Sequence, residues 1–255
     1  MSDAEAPAAL VDRQGRVLII RLNRPGARNA INSAMTTILI DAIRELDSDV
    51  GLSVGVITSS GTGFCSGMDL KEFASQGTPK GLDILLRQGA RKPLIAAVDG
   101  FCLAGGLELA LICDIVVASE QSRFGIPETQ VGLFAAGGGV MRLPRRMPYG
   151  AAARMAFTAQ HIGAGEAARM GLVTQLAPDG EVFNEALKLA DSIARNAPLA
   201  LAASKVVLQA AAGGRTEDEL WTMQLPLIKQ VFKSQDAKEG PRSFAEKRAP
   251  VWQGI

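Results

Sequence analysis

Five short runs of aliphatic and β-branched residues dominate the first two-thirds of the chain: RVLIIRL (16–22), VGVITSS (54–60), PLIAAVDG (93–100), CDIVVAS (113–119) and LVTQLAP (172–178). Most have glycine, proline or polar breaks nearby, as buried strands do. Between several of them lie helical patterns, clearest over Ile31–Leu46, where Ile38, Leu39, Ala42, Ile43 and Leu46 recur at helical spacing. Strand and helix therefore alternate, and the chain reads as α/β. No strict short-period repeat is visible, although this alternation can hide a structural one. After Gly171 the pattern turns helical over Glu181–Asn196, Pro198–Ala212 and Glu217–Gln235, and ends in the charged tail DAKEGPRSFAEKRAPVWQG. That section holds too little core to stand alone. It is expected to pack on the α/β body or on a neighbouring subunit, with a boundary near residues 195–200.

Charge narrows the function. Across 255 residues, 27 Lys and Arg stand against 26 Asp and Glu, a net charge of +1. No overall field recruits nucleic acid or an anionic membrane, so an anionic ligand must be met locally. The N-terminal MSDAEAPAAL lacks the basic and apolar segments of a secretory signal, and no later run approaches a membrane span; a soluble cytoplasmic protein is expected. Cys65, Cys102 and Cys113 form no CxxC pair and are expected to be reduced and partly buried. His161 is the single histidine, which excludes multi-histidine metal sites, and no metal is expected. It reads as an exposed or capping residue, leaving carboxylates as the leading acid–base groups.

The stretch FCLAGGLELALIC (101–113) places one charge, Glu108, among apolar side chains beside Gly105 and Gly106. An unpaired carboxylate there has its proton affinity raised by desolvation, which suits proton transfer near neutral pH; a buried ion pair with an arginine is the structural alternative. Gly105-Gly106 precede the apparent helix carrying Glu108, and a helix start exposes unpaired N–H groups. Two such groups from separate loops can converge on one oxygen anion, the second coming from the Gly67-Met68 turn. A second carboxylate, Glu128, follows Pro127 at a possible helical turn, where it reads equally as a helix-dipole residue. Gly61, Gly63 and Gly67 are spaced GxGxxxG, not the GxGxxG of a dinucleotide turn. Gly137-Gly138-Gly139 precede Arg142, Arg145 and Arg146 without a Walker lysine, and read better as a close-packed loop beside a solvated basic face than as a phosphate cradle.

Taken together, NRPGARNAI (23–31), FCSGMDLKEF (64–73), AGGLELALICDIVVAS (104–119), FGIPETQVG (124–132), GGGVMRLPR (137–145), AARMGLV (167–173) and SFAEKRAPVWQG (243–254) resemble the enoyl-CoA hydratase/isomerase, or crotonase, family over nearly the whole chain. Each piece is modest; their order and spacing are specific. The resemblance implies a crotonase-like spiral of repeated ββα units over residues 1–197 and a C-terminal helical trimerisation region over 198–255, with a homotrimer or a hexamer of two trimers. It implies oxyanion-hole amides at Met68 and Gly105, catalytic glutamates at Glu108 and Glu128, and coenzyme A contacts at Ala27, Arg28, Ala30, Ser66, Asp69, Leu70 and Lys71. Lys247 matches a lysine that reaches the coenzyme A phosphates, in some cases of an adjoining subunit.

The implied activity is hydration of a trans-2-enoyl-CoA in fatty acid or related acyl-CoA metabolism. It needs no cofactor, since coenzyme A is part of the substrate. Relatives lacking one glutamate tend to be isomerases, so retention of both favours a hydratase over a Δ3,Δ2-enoyl-CoA isomerase, and over a carrier or regulator that binds CoA esters with little turnover. Where many relatives have Pro-Gly-Ala-Gly-Gly, this chain has Ala135-Ala136-Gly137-Gly138, which leaves acyl specificity open. GGVMRLPR is also similar to relatives acting on carnitine-derived thioesters.

Overall fold

A computed structural model describes residues 6–255; MSDAE, the opening half of the segment read above for a secretory signal, lies outside the described residues. The strands are β1 (Ala9–Gln14), β2 (Val17–Leu22), β3 (Val54–Ser59), β4 (Leu94–Val98), β5 (Phe101–Leu103), β6 (Ile115–Ser119), β7 (Arg123–Gly125), β8 (Ile162–Gly163) and β9 (Gln175–Ala177). A six-stranded sheet runs β1-β2-β3-β4-β6-β9, and a smaller one runs β5-β7-β8. In the larger sheet β1 is antiparallel to β2, and every other pairing is parallel.

Parallel strands are covered on both faces, which is why β2, β3 and β4 read as near-continuous apolar runs. Their side chains alternate between two cores. Leu18, Ile20, Leu22 and Ile57 join the larger one, whereas Val17, Ile19, Val54, Val56 and Ile95 join the smaller. The helix Ser33–Ser48 contributes Met35, Leu39, Ala42 and Leu46 to the larger core, and its start is held by Asn32, whose side chain accepts from Met35 N–H at 2.9 Å. The helix Val182–Ala194 closes the smaller core with Val182, Ala186 and Ala190, spaced four apart on one stripe. Each such large aliphatic burial is worth about 1.5–3 kcal/mol against exposure.

The hidden repeat is in the strand order. β4 leads into β5 and then the helix Gly105–Leu111; β6 leads into β7 and then a 3-10 turn, Pro127–Val131. After β3 the chain makes the same move in miniature, since Cys65 pairs with Cys102 of β5, which pairs with Phe124 of β7. Three successive turns of the chain thus stack in register. Met68 and Gly105 each stand three residues past an aligned position, and Pro127, beside Glu128, does too.

The C-terminal part comprises the helices Pro198–Ala212, Glu217–Phe232 and Asp236–Ala245. It packs on the body as the sequence suggests. Buried Lys205 donates to the Lys92 carbonyl at 2.9 Å and pairs with Asp114 at 2.7 Å, and Trp252 Nε1 donates to the Arg195 carbonyl at 2.6 Å. Trp221, Leu225 and Phe232 on the second of these helices are exposed. Among the described residues no helix is long and apolar enough to cross a membrane.

Removing one partner of a buried ion pair strands the other's charge. Lys205→Ala is therefore expected to lower the unfolding free energy by about 3 kcal/mol, the scale for breaking such a pair, read from urea denaturation at fixed protein concentration.

Candidate active site

The loop Arg24–Ile31 and the segment Cys65–Lys71 are joined by buried polar groups the sequence reading passed over. Asn29, almost fully buried, donates from Nδ2 to the Ser60 and Gly63 carbonyls, both at 2.8 Å, and its Oδ1 accepts from Arg24 N–H. Arg24 in turn donates to the Ala30 carbonyl at 2.6 Å and pairs with Asp69 at 3.0 Å. Asp69 also caps the helix Leu70–Gln76, accepting from Lys71 and Glu72 N–H. Ser66 N–H donates to the Arg28 carbonyl, and Ile31 bridges Met68. These bonds bring Ala27, Arg28, Ala30, Ser66, Asp69, Leu70 and Lys71 into one neighbourhood. Arg28, Leu70 and Lys71 are exposed there, Ala30 is buried and the others are half-buried. Lys247 is exposed beyond the helix Asp236–Ala245, with no hydrogen bond or ion pair to that neighbourhood among the described residues.

The turn into the next helix is tight. A Cβ at Gly106 would lie 2.4 Å from the Cys65 carbonyl oxygen, so only glycine lets the helix Gly105–Leu111 seat against the preceding turn. Ala104 before it has φ 50° and ψ −129°, a sparsely populated conformation costing about 1–3 kcal/mol. Its N–H donates to Gly125 at 2.9 Å and its carbonyl accepts from Leu107 and Glu108, which together hold it there. The strained residue orients Gly105, whose virtual Cβ lies 3.4 Å from Met68 N. Among the described residues neither Met68 N–H nor Gly105 N–H has a protein acceptor.

Glu108 projects from the same helix and is buried, with 5% exposure. Its Oε1 accepts from Gly139 N–H at 2.9 Å. Burial raises its proton affinity, and the amides of Gly139 and Gly137 and the charge of Arg142 oppose that rise. The glycine run 137–139 thus wraps a carboxylate of its own chain. A Cβ at Gly137 would stand 2.5 Å from Glu108 Oε2. The close-packed reading of this loop is correct, but the solvated basic face is not: Arg142 donates to the Gly137 and Leu86 carbonyls, and Arg146 to those of Cys113 and Asp114. Only Arg145 of the three is exposed.

Glu128 sits in the 3-10 turn Pro127–Val131, with Pro127 in its first turn. It is half-buried, and its Oε2 has no hydrogen-bond partner among the described residues. Burial, with a further push from the charge of Glu108, raises its pKa to about 7, its own backbone N–H offsetting only part. The two carboxyls therefore sense each other across the space between their elements. The cysteines are free and fully buried, more so than the sequence suggested, and burial pushes Cys65 and Cys113 up to about 12. His161 is exposed, its ring lying over Gly125.

Two amides without acceptors on stacked turns, and two carboxyls of raised proton affinity, are groups that an acid–base enzyme polarising a carbonyl would use. Known proteins narrow the class. The enoyl-CoA hydratase/isomerase family model matches residues 12–254. The chain is 42% identical to the enoyl-CoA hydratase EchA19 of Mycobacterium tuberculosis, covering 97% of each, and 37% identical to carnitinyl-CoA dehydratase of Proteus mirabilis, covering 94% of this chain and 96% of the relative. Its structure is similar to the crystal structure of enoyl-CoA hydratase EchA1 from Mycobacterium marinum, with a TM-score of 0.93 and 45% identity over 98% of this chain and all of that one. The chain belongs to the enoyl-CoA hydratase/isomerase family, and its fold is the crotonase spiral.

A carboxyl whose proton affinity is raised by folding binds more protons folded than unfolded between its ordinary value, 4.5, and about 7. Stability therefore falls as pH rises through that window. Glu128→Gln is expected to gain stability relative to the unsubstituted chain between pH 4 and pH 8, by about 1–2 kcal/mol because water still screens this half-buried group. Urea denaturation at the two pH values checks it; an unchanged difference would place the Glu128 carboxyl in water.

Proposed function

We propose that the protein is an enoyl-CoA hydratase, adding water across the 2,3 double bond of a trans-2-enoyl-CoA. The observation that carries the reading is the meeting of Met68 N–H and Gly105 N–H, both without a protein acceptor, beside Glu108 and Glu128. In this reading the thioester oxygen lies on the two amides. As water attacks C3, the C2=C3 electrons move onto that oxygen, where the amides stabilise the enolate; protonation at C2 then restores the carbonyl. The strain at Ala104 keeps one donor aimed before substrate arrives.

The surroundings of the two carboxyls divide the labour. Glu108 has its charged form supported by the Gly139 and Gly137 amides, which suits holding the water and taking its proton. Glu128, with its pKa near 7 and an unpartnered buried oxygen, suits delivering a proton to C2. Coenzyme A would lie along Ala27, Arg28, Ala30, Ser66, Asp69, Leu70 and Lys71, meeting mostly backbone, because the Asp69 side chain is engaged in its cap and with Arg24. Lys247 makes no hydrogen bond or ion pair with them among the described residues, and its part in phosphate binding is assigned to a neighbouring subunit. A trimer, or two stacked trimers, would cover the exposed Trp221, Leu225 and Phe232 and present that lysine.

Mixing with crotonyl-CoA should bleach the conjugated enoyl-thioester absorbance. Glu108→Gln and Glu128→Gln are each expected to slow it by about 100- to 10000-fold, the range for a positioned acid or base. Turnover of 3-enoyl but not 2-enoyl thioesters, insensitive to one of the substitutions, would instead mark an isomerase; tight CoA-ester binding without turnover would mark a carrier.

A further inference from the structure

Behind the Glu108 loop lies a cavity of about 620 Å³, between the body and the helix Pro198–Ala212. Its volume suits a small ligand. Charge makes it distinctive: Arg87, Arg142, Arg145, Arg146 and Lys205 line it against one acid, Asp114. Asp114 is already engaged, accepting from Lys205, from Leu94 N–H at 2.8 Å and from Gln209. The four arginines have no carboxylate partner among the described residues, in a chain whose net charge is only +1. Burial lowers the proton affinity of Arg142, the charge of Glu108 opposes that, and the like charges of Arg145 and Arg146 add a smaller lowering.

Arg142 faces both ways. It lines the cavity, yet its guanidinium donates to the Gly137 carbonyl at 3.1 Å and the Leu86 carbonyl at 2.6 Å, and Gly137 abuts the Glu108 carboxylate. We propose that this cavity binds a compact anion carrying two or more negative charges, of the phosphoryl or polycarboxylate class, and that its occupancy reaches Glu108 through Arg142. An anion seated between Arg87, Arg145 and Arg142 neutralises the cation that otherwise favours ionised Glu108. Glu108 then holds its proton to higher pH. The binding half stands without the hydratase assignment; the coupling half rests on it.

Inorganic pyrophosphate is the probe, titrated calorimetrically into the full chain in its native assembly. One saturable site per chain is expected, weakened at least about tenfold, or ~1.4 kcal/mol, by Arg87→Met with Arg145→Met, and unchanged by Lys71→Met with Lys247→Met. Circular dichroism verifies that the arginine variant is folded, and its crotonyl-CoA turnover without pyrophosphate should match the unsubstituted chain. Saturating pyrophosphate should shift the acid limb of the turnover profile to higher pH in the unsubstituted chain alone. Absence of saturable binding, binding that survives the arginine substitutions, or binding abolished by the lysine substitutions would overturn the site. Binding with an unmoved pH profile would overturn the coupling.

Discussion

The structure turns on the burial of one carboxylate and the way the chain compensates it. Glu108 lies in an apolar interior where a bare charge is expensive, and the compensation comes from the amides of Gly139 and Gly137 and from Arg142 beyond them. Side chains at position 137 or 139 would intrude on that carboxylate, so the glycine run is shaped by the group it holds. The compensation is partial. Its proton affinity stays raised, as would suit the acid–base role proposed for it.

Around this carboxylate the fold repeats one local event. Each turn of the spiral runs from a large-sheet strand to a short segment of the second sheet and then leaves it, three residues past a common register, at Met68, Gly105 and Pro127. Amides exposed at the first two departures have no acceptor of their own, and the third departure carries Glu128. Half-buried arginines and one buried lysine tie the chain to its supports: Arg24 to Asp69, Arg142 to Leu86, Lys205 to Asp114. The site is thus a consequence of stacking, with each turn supplying one part.

Much of this is legible in the sequence where the signal is local. The apolar runs at 16–22, 54–60, 93–100 and 113–119 contain β2, β3, β4 and β6, and Pro198–Ala212 is helical over those same residues. β5, β7 and β8 are two or three residues long and carry no period, while β1 is exposed over five of its six residues, so neither gives a strand signal. Glu108 stands out because a charge among apolar neighbours is a local contradiction. Asn29 and Arg142 do not, since the Ser60, Gly63 and Leu86 carbonyls they also satisfy lie 31 to 56 residues away and are met only after folding. The basic run near residue 145 looks like a solvated face for the same reason: the Leu86 carbonyl that Arg142 satisfies and the Cys113 carbonyl that Arg146 satisfies are distant in the chain.

The central claim is that the Met68 and Gly105 amides grip a thioester oxygen between two acidic side chains. Carbonyl polarisation reads this directly: bind a 2-enoyl-CoA labelled with carbon-13 at the thioester carbonyl to the slow Glu128→Gln variant, and record its resonance. The account predicts a clear downfield shift from the free thioester, reflecting two hydrogen bonds to that oxygen. A bound substrate whose carbonyl resonates where it does in water would contradict it.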